Sequence, residues 1–340
     1  MNKYLLNTLL LLFFTGLSLL GAELVLRGLG FRPEKVRIHK NEPTMHEFNA
    51  TLGWNNKPGQ YTFEPYAPGE KNIQITFLEK GLRKTSEHQG NRRDDRPKIV
   101  FVGGSFTQGW AISDPETYPW KMQEYFPDYE ILNAGTGGYG TYQSLLTLEK
   151  ILPDLDNPKI VFYGFVAHHQ VRNVAPVNWL AMLSSFSRRA HVFVPYATVD
   201  SKGDLVRHEP EAYISLPFSN KSALISLVDN AVMKMKDDGR IHQTRPVTKK
   251  ILLQMKQLAA RHKAQFVTVI LNAPEGAKAY YQKFFKKNGI LALDCSYPLT
   301  ADMKVKGEGH PNGDWNSKVA SCIKDSMYEL GLTANSKRGS

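Results

Sequence analysis

The pattern of apolar positions changes character three times along the chain. From Tyr4 to Leu26 every residue is apolar or small except Asn7, Thr8, Thr15, Ser18 and Glu23, and Leu9 to Phe14 is an unbroken apolar run. A run of this length at the chain's start predicts an export signal or a membrane anchor over residues 1–27. Ala22 could precede a cleavage point, but Leu20 fits the second small position poorly, so an uncleaved anchor is the preferred reading. Residues 28–96 are rich in Pro, Gly, Asn and charge, with one strand predicted at Ile73–Phe77, and they end in the polar run Ser86–Arg96. They are read as a small lead-in module and a linker.

Over residues 97–335 strand-like runs alternate with helical patterns. The strands are predicted at Lys98–Val102, Tyr129–Leu132, Lys159–Phe165, Gln265–Leu271 and Ile290–Asp294. This alternation predicts an α/β domain on a parallel sheet. Helix starts are signalled at Asp114-Pro115, at Thr141 before Leu145 and Leu148, and at Thr248 before Ile251, Leu252 and Met255. A last helix over about 313–330 aligns Trp315, Val319, Ala320, Ile323, Met327 and Leu330 and stops at Gly331. The stretch 176–245 is irregular and is expected to be an insertion over the carboxyl edge of the sheet.

The net charge of +11 favours anionic surroundings without choosing among lipid, glycan and nucleic acid. The flanks of the apolar run sharpen this little. Lys3 faces Arg27, Arg32, Lys35, Arg37 and Lys40 on the other side, a count that opposes an outward-facing domain. Nine Lys or Arg between Val232 and Lys263, against Asp237 and Asp238, are read as a solvated helix face. No nucleic-acid recognition motif accompanies them, so no nucleic-acid partner is expected.

Ligands of a parallel α/β sheet bind beyond the carboxyl ends of its strands, so the loops after the predicted strands hold the candidate chemistry. The first carries Gly103-Gly104-Ser105, the second Asn133-Ala134-Gly135-Thr136-Gly137-Gly138, the third His168-His169, and the last leads to Glu308-Gly309-His310-Pro311-Asn312. A serine needs a base to take its proton, and the ensuing oxyanion needs donors such as the amides of glycine turns. Gly135 to Gly140 also fits Gly-x-Gly-x-x-Gly, but Asp154 and Asp156 precede the strand where a ribose-binding acid should follow it. Adjacent histidines point apart and have no partner at ligand spacing, so neither a metal nor a cofactor is expected.

These blocks, in this order, resemble those of the SGNH or GDSL hydrolases over about residues 98–330. Leu52-Gly53-Trp54 and Gly81-Leu82-Arg83 resemble the lead-in of exported, membrane-anchored members. The resemblance implies a flavodoxin-like three-layer α/β/α sandwich with Ser105 as nucleophile and His310 as base. It also implies that the amides of Ser105 and Gly138 hold the oxyanion. Three positions depart from the pattern: Gly104 replaces an acid, His168-His169 replace an asparagine and an aspartate, and Gly307 stands where the triad acid belongs. His168 could substitute as third oxyanion donor, with Asn173 as the alternative. Glu308 is the nearest replacement acid, with Asp302 behind it.

The expected function is hydrolysis of an O-acyl, preferably O-acetyl, ester on a cell-envelope carbohydrate by a membrane-anchored, extracytoplasmic enzyme. The alternatives are acyl transfer to a sugar hydroxyl, or a catalytically weak domain that only binds a glycan or a protein. In an exported domain, Cys295 after the last strand and Cys322 on the last helix are expected to form a disulfide.

Overall fold

The computed structural model describes residues 3–33, 42–89, 95–187, 191–236 and 239–332. Lys35, Arg37, Lys40, Asp237, Asp238 and the expected domain end at 335 lie outside them. In chain order the elements begin with helix α1 (Lys3–Gly28) and strands β1 (His46–Asn49), β2 (Gly53–Asn56), β3 (Gly59–Phe63) and β4 (Ile73–Phe77). Then come β5 (Lys98–Gly103), α2 (Ser105–Gln108), α3 (Tyr118–Tyr125), β6 (Glu130–Asn133), α4 (Thr141–Ile151) and β7 (Pro158–Val166). Helices α5 (His169–Arg172) and α6 (Val177–Ser185), strands β8 (Val194–Val199) and β9 (Leu205–Glu211), and α7 (Ala223–Met235) follow. The chain closes with α8 (Thr244–Arg261), β10 (Gln265–Asn272), α9 (Glu275–Lys287), β11 (Leu291–Asp294) and α10 (Gly313–Glu329).

Two compact units result. The first gathers Met1–His39, Pro176–Phe193 and Ala212–Gly239; the second gathers Lys40–Ala175, Val194–Glu211 and Arg240–Ser340. The expected insertion is therefore divided: its hairpin β8–β9 belongs to the second unit, where Arg207 pairs with both carboxylate oxygens of Glu149 on α4.

In the second unit β5, β6, β7, β10 and β11 form a parallel sheet in the order β11-β10-β7-β5-β6. Counted along the sheet's own strands this is 2-1-3-4-5, the flavodoxin-like order, which reverses between β5 and β7. The strands are nearly continuous apolar runs because both faces are covered. Successive side chains of β5 alternate between two cores. Val100 and Val102 pack with Leu148, Ile251, Met255 and Phe285 on one face. Ile99 and Phe101 pack with Met122, Trp315, Val319 and Ile323 on the other. Truncating a fully buried aromatic such as Phe162 to alanine would cost about 3–5 kcal/mol.

Two helix starts differ from those expected. The Asp114 carboxylate accepts from Arg83 Nε and Thr76 N, so Asp114-Pro115 opens only a short turn, and α3 starts at Tyr118 with Thr117 as its cap. Helix α8 begins at Thr244, and Thr248 lies inside it with its hydroxyl on the Thr244 carbonyl. Thr141 is the first residue of α4, after Gly140 as N-cap. Leu330 is exposed rather than part of the buried stripe of α10, which ends before Gly331 at φ 62°. Cys295 and Cys322 are disulfide-bonded.

The lead-in is two antiparallel hairpins, β1–β2 and β3–β4, with a small core of Met45, Phe63, Ile73, Ile75 and Phe77. It is part of the second unit, where the Arg83 amide donates to the Asn133 carbonyl at the end of β6.

In the first unit α1 is 26 residues of mean hydropathy 2.2 over its most apolar window, and none of its residues is buried. At 1.5 Å per residue it spans about 39 Å, enough to cross a bilayer. It is the one helix among the described residues long and apolar enough to do so.

Candidate active site

The reversal of strand order between β5 and β7 leaves a crevice beyond their carboxyl ends, and the chain places its chemical residues there. Gly103, at φ 159°, lets β5 turn sharply, and Ser105 follows as the first residue of α2, nearly buried. A Cβ on Gly103 would come within 2.3 Å of Thr107 Oγ1, so the turn is closed to larger residues.

Ser105 Oγ lies 2.9 Å from His310 Nε2, and His310 Nδ1 lies 2.6 Å from Glu308 Oε1. The other Glu308 oxygen accepts the His310 amide at 2.7 Å. A carboxylate only accepts, so Nδ1 carries the ring proton and Nε2 is left to accept the serine hydroxyl. The edge of Phe106 packs on the His310 ring. Gly307, at φ 79°, explains why the acid is not three residues before the base: a Cβ there would stand 2.4 Å from the Tyr66 carbonyl oxygen. Asp302 is exposed, and its carboxyl is held low first by the Thr300 hydroxyl; none of its hydrogen bonds reaches His310.

The second glycine turn lies directly on α2. A Cβ on Gly135 would be 2.4 Å from the Gln108 amide, and one on Gly138, at φ 83°, would be 2.9 Å from the Trp54 ring. Among the described residues no backbone hydrogen bond engages the amide of Ser105 or of Gly138. The turn is clamped from several sides. Trp54 Nε1 donates to the Gly137 carbonyl, Asn56 Nδ2 to the Gly135 carbonyl, and Arg172 Nη1 to the Tyr139 carbonyl. Burial pushes the Arg172 guanidinium down to about 10.

The third block separates its residues by role. His168 is solvent-exposed; desolvation first, then the charges of Arg172 and His310, lower it from its ordinary value, which favours the neutral ring. Among the described residues its ring makes no hydrogen bond and only packs against His169. His169 is buried, which holds it well below its ordinary value, and its Nδ1 lies 2.9 Å from the Tyr163 hydroxyl. That hydroxyl donates to Thr141, so the shared proton belongs to Nδ1 of His169. Asn173 is fully buried: its Oδ1 accepts from Tyr142 N, and its Nδ2 donates to both Thr141 and Thr248. Its amide has no proton left for a ligand, which corrects the expectation of Asn173 as an alternative donor.

Gly104 and His169 are matched. A Cβ on Gly104 would fall 2.6 Å from His169 Nε2 and 3.1 Å from the Tyr139 carbonyl oxygen. The imidazole thus fills the room that a side chain at 104 would need. Arg83 was not singled out by the sequence for chemistry, yet it is fully buried and binds Asp114 Oδ1 and the carbonyls of Gln108, Gly109 and Ile112, fixing the end of α2. The described residues hold no cluster of His, Cys, Asp and Glu able to bind a metal.

No protein-family model matches the chain, and no curated protein does. Several solved structures are similar in chain path. TesA is 12% identical with a TM-score of 0.39, covering 68% of this chain and 99% of its own. The psychrotrophic esterase EstA from Pseudoalteromonas sp. is 12% identical with a TM-score of 0.42, covering 71% and 100%. A member of the lipolytic protein G-D-S-L family from Veillonella parvula is 12% identical with a TM-score of 0.40, covering 68% and 99%. The chemistry of this chain has to be read from its own residues.

Proposed function

We propose that the chain is an SGNH-type serine esterase that cleaves O-acyl esters, with Ser105 as nucleophile, His310 as base and Glu308 as the acid that orients it. The observation that carries this reading is the continuous relay from Glu308 through His310 to Ser105. Ser105 Oγ attacks the acyl carbonyl while its proton passes to His310 Nε2, and the imidazolium that forms is stabilised by Glu308. The tetrahedral oxyanion takes hydrogen bonds from the amides of Ser105 and Gly138 and from the neutral His168 ring. Collapse of the intermediate expels the alcohol, which receives the proton from His310 and leaves an acyl-serine. Water, deprotonated by the same histidine, then releases the acid. A sugar hydroxyl in place of water gives transfer by the same steps.

The reading extends to an anchored, extracytoplasmic enzyme acting on an O-acetyl ester of an envelope carbohydrate. Helix α1 supports the anchor, the Cys295–Cys322 bond suits an oxidising compartment, and the charge of +11 suits an anionic envelope. Incubation with a serine-directed phosphonate followed by peptide mapping tests the core of it. Label on Ser105, lost in Ser105→Ala and strongly slowed in His310→Ala, is expected. An intact protein that stays unlabelled would favour a binding domain instead.

A further inference from the structure

The first unit contains a helix built inside out. Along α7, at about 100° per residue, Ala223, Ser226 and Asp229 fall on one arc and Leu224, Leu227, Val228, Ala231 and Met235 on the opposite one. The inward arc holds the polar residues. Asp229 is buried and accepts from the Tyr213 hydroxyl and the Leu216 amide, and Ser226 is buried beside it. The outward arc is apolar: Leu227, Val228, Ala231 and Met235 are exposed. A helix facing water shows the reverse arrangement.

The loop before α7 continues the surface. Ile214 and Phe218 are 66% and 64% exposed, and Phe218 holds a φ of 66°, a left-handed conformation that is costly for an aromatic residue.

The same unit ties this helix to α1. Glu23, the sole acidic residue of α1, accepts from the Ser222 hydroxyl and the amides of Ala223 and Leu224, so it caps the start of α7. Arg27, one turn on, pairs with Glu23 and donates to the Lys221 carbonyl. The start of α7 is thereby fixed at the level of Glu23, five residues before the end of α1. Among the described residues of this unit the acids, Glu23 and Asp229, are both spent on internal bonds, whereas Lys221 before α7 and Lys234 and Lys236 at its far end are exposed cations.

We propose that the outward arc of α7, with Ile214 and Phe218, is seated in the interface of an anionic bilayer beside the point where α1 leaves it. Leu227, Val228 and Met235 enter the acyl boundary, and Lys221, Lys234, Lys236 and Arg32 reach lipid phosphates. The proposal rests on the reading of α1 as an anchor and goes beyond it, since an anchor alone needs no apolar arc outside the membrane span.

The test uses the full chain in vesicles of phosphatidylcholine and phosphatidylglycerol. Cys295 and Cys322 are bonded to each other, so a single introduced thiol can carry an environment-sensitive fluorophore. Leu227→Cys and Val228→Cys report on the arc, Leu12→Cys on the anchor, and Lys287→Cys, exposed in the second unit, serves as control. Lipids brominated on their acyl chains should quench positions 227 and 228 to an extent comparable with position 12 and leave 287 unchanged. In phosphatidylcholine alone the loss at 227 and 228 should shrink while that at 12 persists. Quenching at 12 without quenching at 227 and 228 overturns the seat and keeps the anchor. No quenching at 12 removes the anchor and the seat with it. Positions 227 and 228 shielded from aqueous iodide but unreached by brominated lipid would mean that protein covers the arc, which also overturns the proposal.

Discussion

Glu308 binds His310 twice across a single intervening residue, through the ring Nδ1 at 2.6 Å and through the backbone amide at 2.7 Å. The tight turn at Gly309, at φ 101°, lets a carboxylate reach its own near neighbour in this way. Glu308→Gln keeps the shape but can present an amide proton to the ring and favour the wrong tautomer. Its kcat on a small acetyl ester should fall by about 10²–10⁴-fold. Asp302→Asn should leave kcat unchanged; a large loss there would move the orienting role away from Glu308.

His168 is an exposed ring with no hydrogen bond among the described residues, and the proposal that it is the third oxyanion donor predicts a split between two variants. His168→Asn should retain much of the activity because an amide can donate in place of an imidazole. His168→Ala should lose about 10²–10³-fold in kcat, with less change in KM. Steady-state kinetics on the two variants, each checked for an unaltered melting temperature, separates a donor from a structural residue.

The neighbouring buried His169 predicts an acid-sensitive fold. Burial holds its pKa well below the ordinary 6.5. Well above pH 6.5 it is neutral in both the folded and the unfolded chain, so its contribution is fully present. As pH falls from 6.5 the unfolded chain binds a proton at this position that the folded chain does not, and stability declines by up to about 1.4 kcal/mol per pH unit. Denaturant unfolding between pH 6.5 and 5, before most carboxylates titrate, should show this decline and a shallower one in His169→Asn.

Much of the fold was legible because its strands are buried on both faces and read as unbroken apolar runs. The runs beginning at Lys98 and Gln265 match strands β5 and β10 to within a residue. Once those strand ends are known, the loops carrying Ser105 and His168 fall on either side of the reversal in strand order. What local pattern could not carry is which distant group takes a polar side chain. Asp114 reads as a helix cap, but Arg83, 31 residues away, claims its carboxylate. Asn173 reads as a spare donor, but Thr248, 75 residues on, takes its proton. The divided insertion was hidden for a related reason: its pieces look alike in composition, and only packing assigns them to different units.

Arg83 has no solvent exposure and satisfies three carbonyls and one carboxylate at once. Arg83→Met would fit the space but leave Asp114 buried without its cation and three carbonyls unpaired. A loss of about 3–5 kcal/mol is expected. Urea unfolding followed by intrinsic fluorescence measures it, and a loss under 1 kcal/mol would mean that water replaces the guanidinium.

Gly104 and His169 share one space, and that accounts for two departures from the SGNH pattern together. An acid at 104 and an imidazole at 169 would compete for the volume where a Cβ already falls 2.6 Å from Nε2. His169 cannot simply swing away, because it is buried and its Nδ1 is held by Tyr163. Gly104→Ala should therefore destabilise by about 1–3 kcal/mol through overpacking, and it should slow Ser105 labelling by a phosphonate because the strained turn carries the nucleophile. His169→Ala alone leaves a cavity beside Tyr163 and should also destabilise. In the double variant the added methyl enters the vacated volume, so the combined loss should be smaller than the sum of the single losses by about 0.5–3 kcal/mol. Unfolding free energies of the four proteins close this cycle. Strict additivity would show that the two positions do not compete and that Gly104 is set by the turn alone.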